Sequence, residues 1–394
     1  MTGKITISNN QLVLNLCVFI LITHAVIVLD GFEWIAIISS ALRYLVFLYL
    51  ALRYMNRPMA NRMDVLWAVF FVMLTADTVM GHGKLAHVIG SGIDIAGLLM
   101  LFHLYKEDML DLLKAITFSL SFYIYLNFYF MHLYPGGLWT DPISGNGYFL
   151  LSGNYNGMGA RFLCALTTNL LIINTSRAAK INFIALIIVS LICVLMVRSM
   201  TSTVSLLMLF GLWIMASLRG HKKLVIAFFI AYLLIQFFVV FTLSDLSKYT
   251  YVVDFVENVL HKNLTFTSRT FLWERSAKLI EASPWFGYGF QDKVWNAIHM
   301  HGPGAHNFVY TILLYGGYPL LLLFIGVIVS ALRQNIGYGN QRSLSRLLLA
   351  VNTLFFMMIF DYYVFFLIAY LIILIYYYPV IAESVEKSLT KDNE

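Results

Sequence analysis

His306 and Asn307 open a long apolar segment in the stretch GPGAHNFVYTILLYGGYPLLLLF, residues 302–324. An imidazole, with an ordinary pKa near 6.5, suits a group that accepts a proton from a hydroxyl or steadies it by hydrogen bonding. A plain cap, with Asn307 satisfying free backbone N–H groups, accounts for the same two residues, and on the residues alone it is preferred. Arginines form the second chemistry-bearing set, because the planar guanidinium grips phosphate oxygens bidentately and stays charged. Arg161 lies about six residues, roughly 9 Å, inside an apolar segment, and Arg198 ends another in MVRSMTST. A charge within a membrane helix costs at least about 2.5–3.5 kcal/mol. Arg161 therefore has either a function or an acidic partner, and Asp77 and Asp361 stand at a suitable level. Arg198 is an ordinary interfacial arginine or a second phosphate contact. Arg43 lies too deep to snorkel, and Asp94 sits at similar depth, so a buried pair is preferred over a phosphate role.

Carboxylates are poorly placed for metal chemistry. No Asp-x-Asp occurs, and Asp30 and Glu33 share a turn of only about three residues, which reads as solvated. His299 and His301 precede His306, but no acidic or cysteine ligand joins them at helical spacing. Neither a metal site nor a cofactor is expected.

The elements that position these groups are membrane helices. The 394-residue chain is 60% hydrophobic and 12% charged, about half the charged fraction of soluble domains, with a mean hydropathy of +0.79. The net charge of +6 lies in short loops and indicates no nucleic-acid partner. All three cysteines (Cys17, Cys164, Cys193) fall inside apolar segments, so no disulfide framework is expected. The first apolar segment lacks a small-residue cleavage site and reads as a retained helix. Apolar runs at 12–29, 34–52, 64–80, 85–105, 110–134, 156–173, 181–197, 203–218, 224–243, 306–332, 347–361 and 363–380 predict an all-α polytopic membrane protein with about twelve spans. Arg53, Arg57, Arg62, Lys106, Lys114, Arg177, Lys180, Arg219, Lys222, Lys223, Arg333, Arg342 and Arg346 fall in alternate loops. The positive-inside rule then puts both termini in the cytoplasm.

Residues 1–394 read as one membrane domain with two long outer loops, 135–155 and 244–305. Loops of that length are usually functional. The first holds Trp139, Tyr148, Asn154, Tyr155 and Asn156, which read as a sugar-binding surface or as belt aromatics. In the second, residues 246–260 predict an amphipathic helix, on the membrane surface or packed on the bundle. Residues 268–282 predict another, capped by Ser268 and stopped before Pro284. Glu274, Lys278 and Glu281 form its solvated stripe, while Arg269, Leu272, Trp273, Ser276 and Ile280 share the opposite face. The run SPWFGYGF, 283–290, reads as a tight aromatic turn.

Arg269-x-x-x-Trp273, then Pro284-x-x-Gly287-x-Gly289, then Ala-His306-Asn307 opening a helix with Gly316–Gly317, resembles the membrane glycosyltransferases that include O-antigen ligases and Wzy-type polymerases of bacterial surface polysaccharides. GNYNGMGARF, with Asn154, Asn156 and Arg161, is similar to a pattern of the polymerase branch. The resemblance implies a GT-C-like fold in the bacterial cytoplasmic membrane. It implies transfer of a glycan from undecaprenyl pyrophosphate to an acceptor on the outer face, without metal and with inversion. His306 and Arg269 are then the catalytic candidates. Arg161, Arg198, Arg275, Asn307, Trp273, Asn154 and Asn156 are the candidates for pyrophosphate or sugar contact. The implied partners are lipid-linked oligosaccharide donor and acceptor, membrane lipids, and chain-length regulator and flippase proteins. Polymerisation of repeat units leads, ligase-type transfer to a lipid or protein comes second, and a lipid-oligosaccharide flippase is the alternative of another class. The halves of the chain show no similarity of the kind common in transporters.

Overall fold

Each of the twelve apolar segments folds as a helix in the computed structural model, which describes residues 9–26, 33–56, 61–140, 147–149, 157–218, 221–241, 265–338, 341–361 and 365–391. In chain order the helices are α1 (Asn9–Val26), α2 (Glu33–Met55), α3 (Arg62–Met80), α4 (Leu85–Leu104), α5 (Met109–Leu133), α6 (Met158–Ile172), α7 (Arg177–Met196), α8 (Met200–Leu218) and α9 (His221–Phe241). After the large loop come α10 (Thr265–Ala282), α11 (Lys293–Met300), α12 (Phe308–Arg333), α13 (Arg342–Phe360), α14 (Phe365–Tyr376) and α15 (Tyr378–Lys391). Between α5 and α6, Trp139–Thr140 and Gly147–Tyr148 form a two-residue antiparallel pairing.

Among the described residues, eight helices are long and apolar enough to cross a membrane, against twelve spans expected, or nine if the pair α14–α15, bent by 64°, counts as one. Two of the expected spans, α6 and α14, are short and enclosed. α6 has fifteen residues, all buried, and rises only about 22 Å, short of a hydrocarbon core of about 30 Å. In α14 every residue from Phe366 to Ile375 is buried. Both helices are core posts wrapped by longer neighbours: α6 packs on α5, α7 and α13, and α14 on α4, α12 and α13.

The outer helices have the opposite character. On α2, Ile37, Leu45, Leu48 and Leu52 are more than half exposed, as are Ile181, Ile184, Ile188 and Leu195 on α7. Apolar surface both inside and outside is stable only against lipid. Deep in the bundle, Ser119, Thr167, Thr168 and Thr353 donate to carbonyls four residues back, which meets their hydrogen-bonding need without water. Arg43 and Asp94 form the expected buried pair, Nη1 to Oδ1 3.3 Å, with the guanidinium over the Tyr44 ring. α12 packs along α3, and α10 packs on α12.

α15 is an element beyond the expected last span. Its first residues remain buried, and its charged end carries the exposed Lys387–Glu383 pair.

Candidate active site

The predicted loop helix forms, with one adjustment. Within the described residues α10 runs Thr265–Ala282, so Ser268 lies inside it and does not cap it. Its buried face is the one the spacing indicated: Trp273 and Ser276 are fully buried, with Leu272 and Ile280 close behind. Glu274 and Lys278 pair on the solvated side at 2.6 Å. Helix α11 was not expected. Its signals were present in the sequence: Asp292 at the N-cap, accepting from the Trp295 N–H at 2.8 Å, and a short amphipathic run behind it. The Trp295 N–H, and then Lys84 at 3.1 Å, hold the Asp292 carboxyl below its usual pKa.

Between α10 and α11, the turn Ser283–Phe290 lies against a break in α12. Gly316 and Gly317 leave helical geometry, and Gly317 has φ +62°. The carbonyls freed there are taken by the turn, with Tyr288 N–H on Leu314 at 2.7 Å and Gly289 N–H on Tyr315 at 2.9 Å. In return the Tyr318 N–H donates to Pro284 at 2.8 Å. On its other side the Phe290 N–H donates to Thr78 Oγ1 at 3.0 Å, and Lys84 N–H to the Phe290 carbonyl at 2.8 Å. Gly289, at φ +70°, sits so close to Thr78 that a Cβ would collide with its backbone. The Pro-x-x-Gly-x-Gly and Gly-Gly motifs are therefore two halves of one clamp. They hold the loop between α3 and α12.

That clamp fixes one wall of a cavity of about 620 Å³. Tyr288, Gly289 and Phe290 line it, together with α11 residues Trp295 and Asn296, and His87, Tyr315, His306 and Asp361. Burial raises the pKa of the Tyr288 phenol, whose hydroxyl donates to the Leu279 carbonyl at 3.0 Å. His306 stands just before α12 in the left-handed region, φ +47°. Its Nδ1 is 3.0 Å from Oδ1 of Asp361, and the two side chains are 29% and 11% exposed. A carboxylate only accepts, so the imidazole proton belongs on Nδ1, and Nε2 carries the free lone pair. The sequence offers Asp361 only as a partner for Arg161, since fifty-five residues separate it from His306.

Asn307 is the N-cap of α12 and wholly buried. Its Oδ1 accepts from the Tyr310 N–H at 3.1 Å, and its Nδ2 donates to the Ile359 carbonyl at 3.1 Å and to Gln236 Oε1 at 3.3 Å. Gln236, absent from the sequence-based candidates, thus ties α9 to the start of α12. The arginines lie elsewhere. Arg161 is 3% exposed and donates from Nη1 to the Gly157 carbonyl at 2.9 Å. Arg198 is exposed and ends α7 in the left-handed region, φ +52°. Arg269 is half-buried on α10. Arg275 Nη2 donates to His301 Nε2 at 2.8 Å. None of the four arginines is among the residues lining this cavity. His299 stacks on Trp295 with centroids 4.3 Å apart, so the three loop histidines are separately engaged. Asn154, Tyr155, Asn156 and the 246–260 helix lie outside the described residues.

The fold and site define a polytopic helical membrane protein with a cavity and a His–Asp pair at one end of the bundle. Residues 162–325 match the model of the O-antigen ligase family. The match runs from α6 to the middle of α12 and is consistent with the O-antigen ligase and polymerase superfamily. The matched stretch takes in Arg269, Trp273, His306, Asn307 and the Gly316–Gly317 break, begins one residue after Arg161, and ends well before Asp361. No curated protein matches the chain.

Proposed function

We propose that the protein polymerises undecaprenyl-pyrophosphate-linked oligosaccharide units into a surface polysaccharide at the outer face of the bacterial cytoplasmic membrane. The cavity end of the bundle faces outward and both termini face the cytoplasm. The observation that carries this reading is the His306–Asp361 pair on the cavity wall, with His306 inside the segment that matches the O-antigen ligase family. An acceptor sugar hydroxyl in the cavity gives its proton to His306 Nε2 as its oxygen attacks the donor's anomeric carbon from the face opposite the leaving group. The carbon–oxygen bond to the pyrophosphate breaks, the lipid pyrophosphate keeps the electron pair, and configuration inverts. Asp361 holds the ring in the accepting tautomer and stabilises the imidazolium that forms. Arg269 and Arg275, on the loop helix, carry the pyrophosphate charge in place of a metal ion, with Arg161 and Arg198 as further contacts.

The ligase reading is the second one, favoured by the description of the matching family. It differs only in the acceptor. Purified protein in lipid, given lipid-linked oligosaccharide alone and excess chelator, should build a ladder of chain lengths. Transfer that occurs only when a different lipid or protein acceptor is added would replace polymerase by ligase. Activity lost to chelator and restored by magnesium or manganese would overturn the arginine mechanism.

A further inference from the structure

The turn Ser283–Phe290 has two faces. Tyr288, Gly289 and Phe290 line the cavity, while Trp285 and Phe286 point away from it and are each 62% exposed. Trp285 meets the ring of Tyr318 edge-on, with centroids 6.4 Å apart. Tyr318 heads the exposed stripe of α12, which continues through Leu322, Ile325, Val329 and Leu332. Their spacing of four, three, four and three residues is a single helix face. An exposed apolar face on a membrane-crossing helix is covered by lipid, and the aromatic pair extends that face without a gap.

Two independent rulers set the depth. From the exposed Arg333 at the far end of α12 to Tyr318 is fifteen residues, a rise of about 22 Å. From Arg62 to Met80, beside which Tyr288 is clamped, α3 has nineteen residues, about 28 Å. Both values fall within a hydrocarbon core of about 30 Å, near its boundary. Non-helical backbone survives at such depth only when its polar groups are satisfied by protein. Tyr288, Gly289 and Phe290 N–H and the Pro284 and Phe290 carbonyls meet that requirement through α12, Thr78 and Lys84, and the Gly287 N–H returns to Ser283.

We propose that this turn is a membrane-embedded partition. Trp285 and Phe286 are immersed in bilayer lipid at the upper edge of the hydrocarbon, and the other face of the same eight residues walls the His306 cavity. The occupant of the outer surface is bilayer hydrocarbon, chosen over a soluble partner because the surface continues the lipid-facing stripe of α12. The cavity is then separated from the bilayer by the thickness of one turn. The placement stands whether or not the glycosyltransferase reading is right.

Nitroxide labels at Trp285→Cys and Phe286→Cys, in protein reconstituted in phosphatidylglycerol–phosphatidylethanolamine vesicles, test it. Cys17, Cys164 and Cys193 are buried and are replaced by alanine or serine in the background. Collision with oxygen should exceed collision with a water-soluble nickel chelate, as for a label at lipid-facing Leu322 and opposite to one at Lys278 on the solvated stripe of α10. A Lys278-like response at both positions would overturn the proposal. Poor access to both relaxers would overturn it as well, since protein rather than lipid would then cover the turn. A phosphatidylcholine lipid brominated near the carbonyl end of its chains should quench tryptophan emission more in the wild type than in Trp285→Leu. Equal quenching would again refute immersion. Adding unlabelled undecaprenyl phosphate should leave the label's response unchanged. Displacement of the oxygen response only by that lipid would mean a dedicated prenyl site instead of bulk bilayer, and would also overturn the proposal as stated.

Discussion

Two of the acid–base pairs in this protein, Arg43–Asp94 and His306–Asp361, are built for different ends. Arg43 and Asp94 meet between α2 and α4 with side chains 8% and 12% exposed, and the guanidinium is also covered by Tyr44. His306 and Asp361 meet at the ends of two segments with side chains 29% and 11% exposed, on the wall of a cavity. The first pair is closed: each charge exists to neutralise the other, which is how a deep arginine is tolerated in lipid. The second is open on one side, because Asp361 engages Nδ1 and leaves Nε2 for something else. The comparison separates holding from acting. A titratable pair is functional when one partner keeps an unused valence toward a space that a substrate can enter.

The largest expected effect breaks the comparison along that line. His306→Ala should lower turnover per folded molecule by about 10²–10⁴-fold, the usual worth of general acid–base help, with folded yield retained. Arg43→Ala should do the reverse, costing stability of about 3–5 kcal/mol by leaving Asp94 unpaired, with turnover per folded molecule little changed. Glycan transfer normalised to monodisperse protein, beside thermal retention of the monodisperse peak, reads both. Normal turnover in folded His306→Ala protein would make the second pair another fastener. A smaller effect sharpens the contrast: Arg43→Met with Asp94→Leu should recover most of the lost stability, since replacing a buried pair by apolar residues of similar volume is neutral or stabilising by about 1–4 kcal/mol. A double variant as unstable as Arg43→Ala would show that the pair does more than neutralise itself. Smallest is Gly317→Ala in the clamp. The Gly317 backbone, φ +62° and ψ −162°, lies where essentially only glycine is found and costs an alanine about 1–3 kcal/mol, and the backbone of Pro284 and Trp285 must also shift. A thermal midpoint unchanged from wild type would mean that α12 can straighten without loosening the turn.

Much of the architecture was legible from local rules. Hydropathy located all twelve apolar helices, and depth matched Arg43 to Asp94, because cost in hydrocarbon is a property of each residue and its position along a helix. The α10 face carrying Trp273 and Ser276 followed from periodicity alone. His306, Asn307, Gly287, Gly289 and the Gly316–Gly317 pair stood out as residues that do not suit a plain membrane helix. Which helices are buried posts and which face lipid was decided by packing: α6 and α14 are as apolar as their neighbours, and only their enclosure marks them as core. The division of labour among the marked residues was also tertiary. Asn307 turned inward to Gln236 and Ile359, the glycines became a clamp between α3 and α12, and Asp361 reached His306 across fifty-five residues. Sequence spacing carries no information about such contacts, because they depend on which helix ends meet. The polar and strained residues were written in the chain; their partners existed only once the bundle closed around them.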